Sequence, residues 1–260
     1  MKFKRMTRRR FLWSVATLSP VGVLADSRFI EPQWVKIKRL KLSAGQPGHR
    51  LVHFSDLHHK GDVRLLKSVV AMINSLAPDT VCFTGDLIEE TRFLPEALEI
   101  LAGIKAPMFG VPGNHDYWSK TSFEPISRCF ATTGGAWLVD EQRVIADGKI
   151  NLIGVANLGP RHPVPATVAG MKNILLVHYP AWVKNLGVTK FDLILAGHSH
   201  GGQVRLPFYG AVIVPFGVEE FELGLFKTVN GPLYVNPGIG YIYDYNFRFN
   251  CRPEITLIEI

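Results

Sequence analysis

A chain of 260 residues, 47% apolar and 20% charged, is long enough to bury one large core and has the balance of a soluble globular protein. The net charge of +7 points to nucleic acid only until it is located: Lys2, Lys4, Arg5, Arg8, Arg9 and Arg10 all lie in residues 1–25, which contain no acid, and the rest of the chain is nearly neutral. Specific nucleic-acid binding is therefore not expected, and three cysteines (Cys82, Cys129, Cys251) without Cys-x-x-Cys spacing argue against a disulfide framework or a zinc–thiolate site.

The basic start runs into Phe11–Ala25, an apolar stretch broken by Ser14, Thr17, Ser19 and Pro20 and short of the roughly 20 residues a membrane span needs. With its basic flank and the small residue closing Val23-Leu24-Ala25, it reads as an export signal cleaved after Ala25 or as an uncleaved anchor helix. Thr7-Arg8-Arg9-Arg10-Phe11-Leu12 resembles the twin-arginine export motif, so the export machinery of that route is an expected partner. The expected location is the periplasm or the outer face of the cytoplasmic membrane, or its cytoplasmic face if the segment is an anchor. Residues 26–49 form a connecting segment, with a first strand over Trp34–Leu42 and a turn at Gly45-Gln46-Pro47-Gly48.

The catalytic domain is expected over residues 50–260. Its strand at Leu51–Phe54 is followed by Val63–Leu76, where Leu65, Leu66, Val69, Val70, Ile73 and Leu76 keep helical spacing. A strand at Thr80–Thr84, a helix at Leu94–Ile104 with Pro95 in its first turn, and a strand at Pro107–Val111 continue the alternation of a parallel layer. A third helix is predicted over Thr121–Thr133. Short strands follow at Ala136–Val139, Arg143–Ile145 and Ile150–Val155, with Asp147-Gly148 as a hairpin turn. Further strands are predicted at Asn173–Val177, Phe191–Ala196, Gln203–Leu206, Leu223–Lys227, Leu233–Asn236 and Ile255–Ile260, and one late helix at Ala181–Leu186. The fold class is α/β: two mixed β-sheets packed face to face, with helices on the outer faces.

Five of the apolar runs end in residues that ligate metals: Asp56-Leu57-His58, Gly85-Asp86, Gly113-Asn114-His115-Asp116, His178, and Gly197-His198-Ser199-His200. Ligands of such sheets gather beyond the carboxyl ends of the strands, so these clusters are expected to meet. Alternate residues of an extended chain project to one side, which would let Asp56 and His58, or His198 and His200, face one ion. Glycine before Asp86 permits an abrupt turn that brings its carboxylate close to two ions. Oxygen and nitrogen donors without thiolate suit Mn²⁺, Fe or Zn²⁺. Two such ions about 3.5–4 Å apart would clamp a phosphate and generate a hydroxide for in-line attack.

In this order the motifs resemble those of the calcineurin-like metallophosphoesterase superfamily over residues 50–260. The resemblance implies the four-layer sandwich of that superfamily and a dinuclear phosphoesterase, with Mn²⁺ the first choice of metal. It implies that Asp56, His58, Asp86 and His200 hold one metal, and that Asp86, as a bridge, holds the other with Asn114, His178 and His198. It also implies that His115 protonates the leaving oxygen and that Asp116 orients its ring. The twin-arginine start, Gly197–Gln203 and Asn250-Cys251-Arg252-Pro253-Glu254 are similar to an exported bacterial phosphodiesterase subgroup, the YaeI/YkuE type. Substrates are then phosphodiesters or pyrophosphates, lipid- or nucleotide-linked. One alternative is a UDP-2,3-diacylglucosamine pyrophosphatase of lipid A synthesis, and another, of a different class, is a non-catalytic metal-binding scaffold.

Gly197–Gly201 also fits Gly-x-Ser-x-Gly, but a serine hydrolase needs a later histidine, and none follows His200. His53 is expected to point away from the ligands, and His59 and His162 to sit on the rim or in an exposed loop. Arg248 and Arg252 are read as salt-bridge partners or as a second anion site. Phe208, Tyr209, Phe216, Phe221, Tyr241, Tyr243 and Tyr245 are read as cover for a sheet edge, with a groove for lipid or sugar as the other reading.

Overall fold

The computed structural model describes residues 19–43, 45, 48–156, 163–242 and 246–260. The twin-arginine motif, His162, Tyr243 and Tyr245 lie outside them. Two six-stranded mixed sheets dominate. The first has the order β1-β14-β2-β3-β4-β5, with β1 at Lys36–Lys41, β2 at Arg50–Phe54, β3 at Thr80–Phe83, β4 at Met108–Gly110, β5 at Ala136–Trp137 and β14 at Glu254–Glu259. The second has the order β12-β13-β9-β8-β7-β6, with β6 at Glu141–Ile145, β7 at Ile150–Gly154, β8 at Lys172–Leu176, β9 at Leu193–Ala196, β12 at Gly224–Thr228 and β13 at Gly231–Val235. A small ribbon, β10 (Arg205–Leu206) and β11 (Gly210–Ala211), stands apart.

Period-two alternation explains the layers. In β2, Val52 and Phe54 join the core beneath the helices, while Leu51 faces the second sheet; in β3, Val81 and Phe83 face the helices and Cys82 the second sheet. The layer between the sheets is closed by Leu152, Ile174, Leu176, Leu193 and Leu195 from the second sheet, and Cys82 packs there as a small apolar residue.

The outer face of the first sheet carries helices α1 (Val63–Ser75), α2 (Leu94–Leu101) and α4 (Phe123–Thr132). Asp62 caps α1 by accepting from the Leu65 N–H, and Ser122 caps α4 by accepting from the Glu124 N–H. Helix α2 stops short of the predicted Ile104 because the Asn74 side chain donates to the Gly103 carbonyl and accepts from the Lys105 N–H, fixing the turn beyond it. The late helix expected at Ala181–Leu186 is instead a 3₁₀ segment, Pro180–Asn185, so among the described residues this turn and loops, and no α-helix, cover the second sheet's outer face. A one-turn helix the sequence reading does not anticipate, α3 (Asn114–Trp118), starts inside a ligand motif.

Residues 19–25 are helical and lead through turns at Asp26–Ile30 and Glu31–Gln33 into β1. Strand β1 pairs parallel with β14, and β14 antiparallel with β2. The beginning of β1 therefore lies at the end of the sheet where β2, β3 and β4 finish. Among the described residues no helix is long and apolar enough to cross a membrane.

Candidate metal centre

All seven expected ligands converge beyond the carboxyl ends of β2, β3, β4, β8 and β9. Asp56, His58 and His200 form one buried group, and Asp86, His178 and His198 a second. Asp86 joins them, its Oδ2 lying 3.3 Å from Nε2 of His58 and 3.3 Å from Nε2 of His178. Asn114 Oδ1 is 3.0 Å from His178 Nε2.

The ligands do not meet by strand alternation, as expected from the sequence. Asp56, His58, Asp86, His198 and His200 all have φ between 40° and 65°, the left-handed region that non-glycine residues rarely occupy. Each strand is followed by a tight loop rather than an extended pair, and such conformations persist only where the surroundings enforce them. Here the Asp56 N–H donates to Gly85 O and the His58 N–H to Asp86 O, tying the first loop to the second. The loops also touch through glycine: a Cβ on Gly113 would lie 2.2 Å from Asp86 Oδ1, and one on Gly197 would lie 1.9 Å from Ser55 Oγ.

Outer hydrogen bonds decide which imidazole nitrogen faces inward. His178 Nδ1 lies 2.6 Å from Thr84 O and His198 Nε2 lies 2.7 Å from Phe216 O; a carbonyl only accepts, so these nitrogens carry the protons. His58 Nδ1 lies 2.8 Å from the Glu89 carboxylate. The nitrogens left over confront each other: His58 Nε2 is 3.1 Å from His200 Nε2, and His198 Nδ1 is 3.1 Å from His178 Nε2. His200 Nδ1, also buried, has no hydrogen-bond partner. Lone pairs crowded together beside two buried carboxylates are the donor set of a pair of cations. The residues present fit divalent metal.

The electrostatics agree. Burial opposes charge on Asp86, yet His178 and His58 beside it hold its carboxyl well below the ordinary value. Burial also opposes charge on His58, but Asp86 and Glu89 push it up to about 10; His178 is raised to about 9 against the same penalty, chiefly by Asp86. His198 falls to about 3 through burial and the nearby His178, and His200 is lowered well below its usual value by burial and His58. Burial raises Asp56. Without a cation, protons on His58 and His178 neutralise the carboxylates.

His115 sits beside this centre, its ring 4.5 Å from that of His58 and 4.8 Å from that of Trp118. Its orientation differs from the sequence expectation. Asp116 is spent on the backbone, accepting from the N–H groups of Asp86, Leu87 and Gly113. The carboxylate at the His115 ring belongs to Glu89, whose Oε2 lies 3.2 Å from Nδ1. The sequence reading does not single out Glu89; its available signal is a place three residues beyond Asp86, on the same loop.

Other expectations need correction. His59 is buried and bonded to Glu96 rather than on the rim. Arg248 is no salt-bridge partner or exposed anion site: it is fully buried and donates to the carbonyls of Pro237, Gly238, Gly240 and Cys251, while Arg252 donates to Trp34 O and lies over that ring. Phe208, Tyr209 and Phe216 are exposed and cover no sheet edge, whereas Phe221 is buried against the second sheet. His53 does face away from the centre's ligands, bonding Thr84 Oγ1.

The centre opens into a cavity of about 230 Å³ lined by Glu89, His115, Trp118, Pro215 and Ile242 among others. Residues 49–202 match the family described as calcineurin-like phosphoesterase. The chain is 30% identical to the metallophosphoesterase YkuE of Bacillus subtilis (strain 168), over 99% of this chain and 98% of that protein. It is 28% identical to the phosphodiesterase YaeI of Escherichia coli (strain K12), over 98% and 99%. With the UDP-2,3-diacylglucosamine pyrophosphatase LpxG of Chlamydia trachomatis (serovar D) it shares 27% over 93% and 94%.

Proposed function

Since the chain belongs to the calcineurin-like phosphoesterase family, we propose that Asp56, His58, Asp86 and His200 hold one divalent cation and that Asp86, Asn114, His178 and His198 hold the other. The protein is a metal-dependent phosphohydrolase, and the observation that carries this assignment of ligands is the position of Asp86 Oδ2, equally close to a nitrogen of each group. Two divalent cations there would draw charge from the phosphoryl oxygens and make a water-derived nucleophile available near neutral pH. The chain's own residues do the rest. His115, held at Nδ1 by Glu89, keeps Nε2 as the nitrogen that delivers a proton to the leaving oxygen. Asp116 holds the loops of Asp86 and Gly113 in register. Trp118, Pro215 and Ile242 form an apolar wall against which the leaving group packs.

Phosphodiesters and pyrophosphates are the substrate class this open cavity suits, and Mn²⁺ is the metal we assign to its nitrogen–oxygen donors. The apolar wall favours a lipid-linked member of that class, and UDP-2,3-diacylglucosamine, the substrate in LpxG's name, is the second reading. Residues 1–25 are assigned as a twin-arginine export signal or a membrane anchor, placing the enzyme at or beyond the cytoplasmic membrane. The test is hydrolysis of bis-p-nitrophenyl phosphate with added Mn²⁺, with metal analysis and Asp86→Ala as control. Metal-dependent turnover lost together with both ions supports the assignment. Two ions retained by Asp86→Ala would sink it, and bound metal without turnover on either substrate would favour a binding scaffold.

A further inference from the structure

Three features that are far apart in sequence share the carboxyl end of the first sheet. The metal centre is one. The second is the segment 19–33, which enters β1 at that end because β1 runs opposite to β2. Its Val21, Leu24, Phe29 and Ile30 are more than half exposed. The third is the β10–β11 ribbon, which follows the His198–His200 loop and carries Phe208 and Tyr209 at its tip, with Phe208 wholly exposed.

These features are physically joined. Glu31 accepts from the N–H groups of Asn250 and Cys251, Asn250 donates through its amide to Arg205 O, and the Arg205 N–H donates to Phe249 O. The metal cavity continues toward the ribbon: a second cavity of about 300 Å³, lined by Val204, Val212, Ile213 and Val214, shares Pro215 and Ile242 with it. Cations border the same end. Arg28 and Arg64, with the single carboxylate Asp62 and with Phe29 and Asn246, line a cavity of about 460 Å³ between segment 19–33 and the start of α1.

Large apolar side chains left exposed together at one end of a molecule mark an interaction surface. The sequence adds to this composition: residues 1–18 hold Lys2, Lys4, Arg5, Arg8, Arg9 and Arg10 and the start of the apolar run from Phe11, and the described chain begins in segment 19–33. Aromatic tips, aliphatic residues and arginines around one rim are the composition of a surface that enters the headgroup layer of an anionic bilayer. We propose that this end of the molecule docks on an anionic lipid bilayer, with Phe208 and Tyr209 entering between the headgroups beside segment 19–33. The metal centre would then face the membrane, and the Val204–Ile213 groove would receive the hydrocarbon part of a phosphoester drawn from it. Only this last consequence rests on the phosphoesterase reading above.

The test is co-sedimentation of the full chain with phosphatidylcholine vesicles, with and without phosphatidylglycerol. The compared variants are the double change Phe208→Ser, Tyr209→Ser and, as control, Val188→Ser with Val229→Ser, exposed valines at the opposite end of the second sheet. Binding that needs phosphatidylglycerol, falls by about tenfold or more in the tip variant and is unchanged in the control supports the proposal. No vesicle binding, equal binding by the tip variant, or a dimer that only the tip variant loses would overturn it, the last by assigning the face to a second copy. Soluble bis-p-nitrophenyl phosphate is hydrolysed in the same samples, so failure of docking and failure of the phosphoesterase assignment are read separately. As a second measurement, Tyr209→Trp should add fluorescence that brominated lipid quenches; no added quenching would overturn the insertion.

Discussion

His115 and Glu89 show how one carboxylate serves two imidazoles. Glu89 Oε2 lies 2.8 Å from His58 Nδ1 and 3.2 Å from His115 Nδ1, so it orients a metal ligand and the proton donor together. His115→Ala should leave metal content intact and lower kcat by roughly 10²–10⁴-fold, because only the leaving-group proton is lost. Glu89→Gln should keep a hydrogen-bonding side chain yet cost about tenfold or more in kcat and weaken one metal position, which separates it from a change in folding. Full activity of either variant would rule out the assigned roles. Of this machinery the metal-binding types were readable in order along the chain, since each follows an apolar run. Glu89 was not, because a carboxylate on a loop after Gly-Asp has no signature until the fold sets it against His115; the resemblance, not the residues, pairs Asp116 with the His115 ring, whereas its carboxylate accepts from three backbone N–H groups.

At the scale of elements, periodicity located the strands and the amphipathic helices, whose apolar faces are set by spacing alone. It failed where side chains or proline decide: Asn74 ends α2 early, and the Pro180 segment winds as 3₁₀. It also fails at the ligand loops, where four positive φ values replace the extended geometry expected of Asp56 and His58 and of His198 and His200. The loop at residues 237–240 gives a test of what enforces them. Gly240 N–H donates to Asp56 O and Ile239 N–H to Ser55 O, and the buried Arg248 guanidinium holds this loop by its carbonyls. Arg248→Met removes those donors and leaves buried acceptors unpaired, offset in part by relief of a buried charge. We expect a loss of about 2–4 kcal/mol, read as a lower Tm of the metal-free protein, with weaker metal binding. An unchanged Tm would show that the loop stands without the arginine.

For the whole molecule, the opposed shifts at the centre couple metal to protons. His58 and His178 titrate at about 10 and about 9 in the metal-free fold, so both carry protons at neutral pH that a cation must displace. Metal affinity should therefore rise with pH, by up to about tenfold per pH unit for each displaced proton, and level off above the range of those two values. Calorimetric titration with Mn²⁺ in buffers of different ionisation enthalpy would count the protons released; none released would contradict the charge arrangement described. The same linkage has the opposite sign for the metal-free fold. Both histidines titrate above the unfolded value of 6.5, so the stability they contribute is complete below that value and is lost as pH rises through about 9 to 10.

The order β1-β14-β2 also constrains how the chain can be made. Among the described strands β14 is the latest in sequence, yet it lies between β1 and β2, the two earliest. Until Glu254–Glu259 is made, β2 is paired only with β3 and β1 has no partner in the sheet. The first sheet thus stays open between β1 and β2 until that late segment is in place, exposed to misassembly for that time. Truncation before Glu254 should release β1 as well and leave β2 as a bare edge of the remaining four strands, β2-β3-β4-β5.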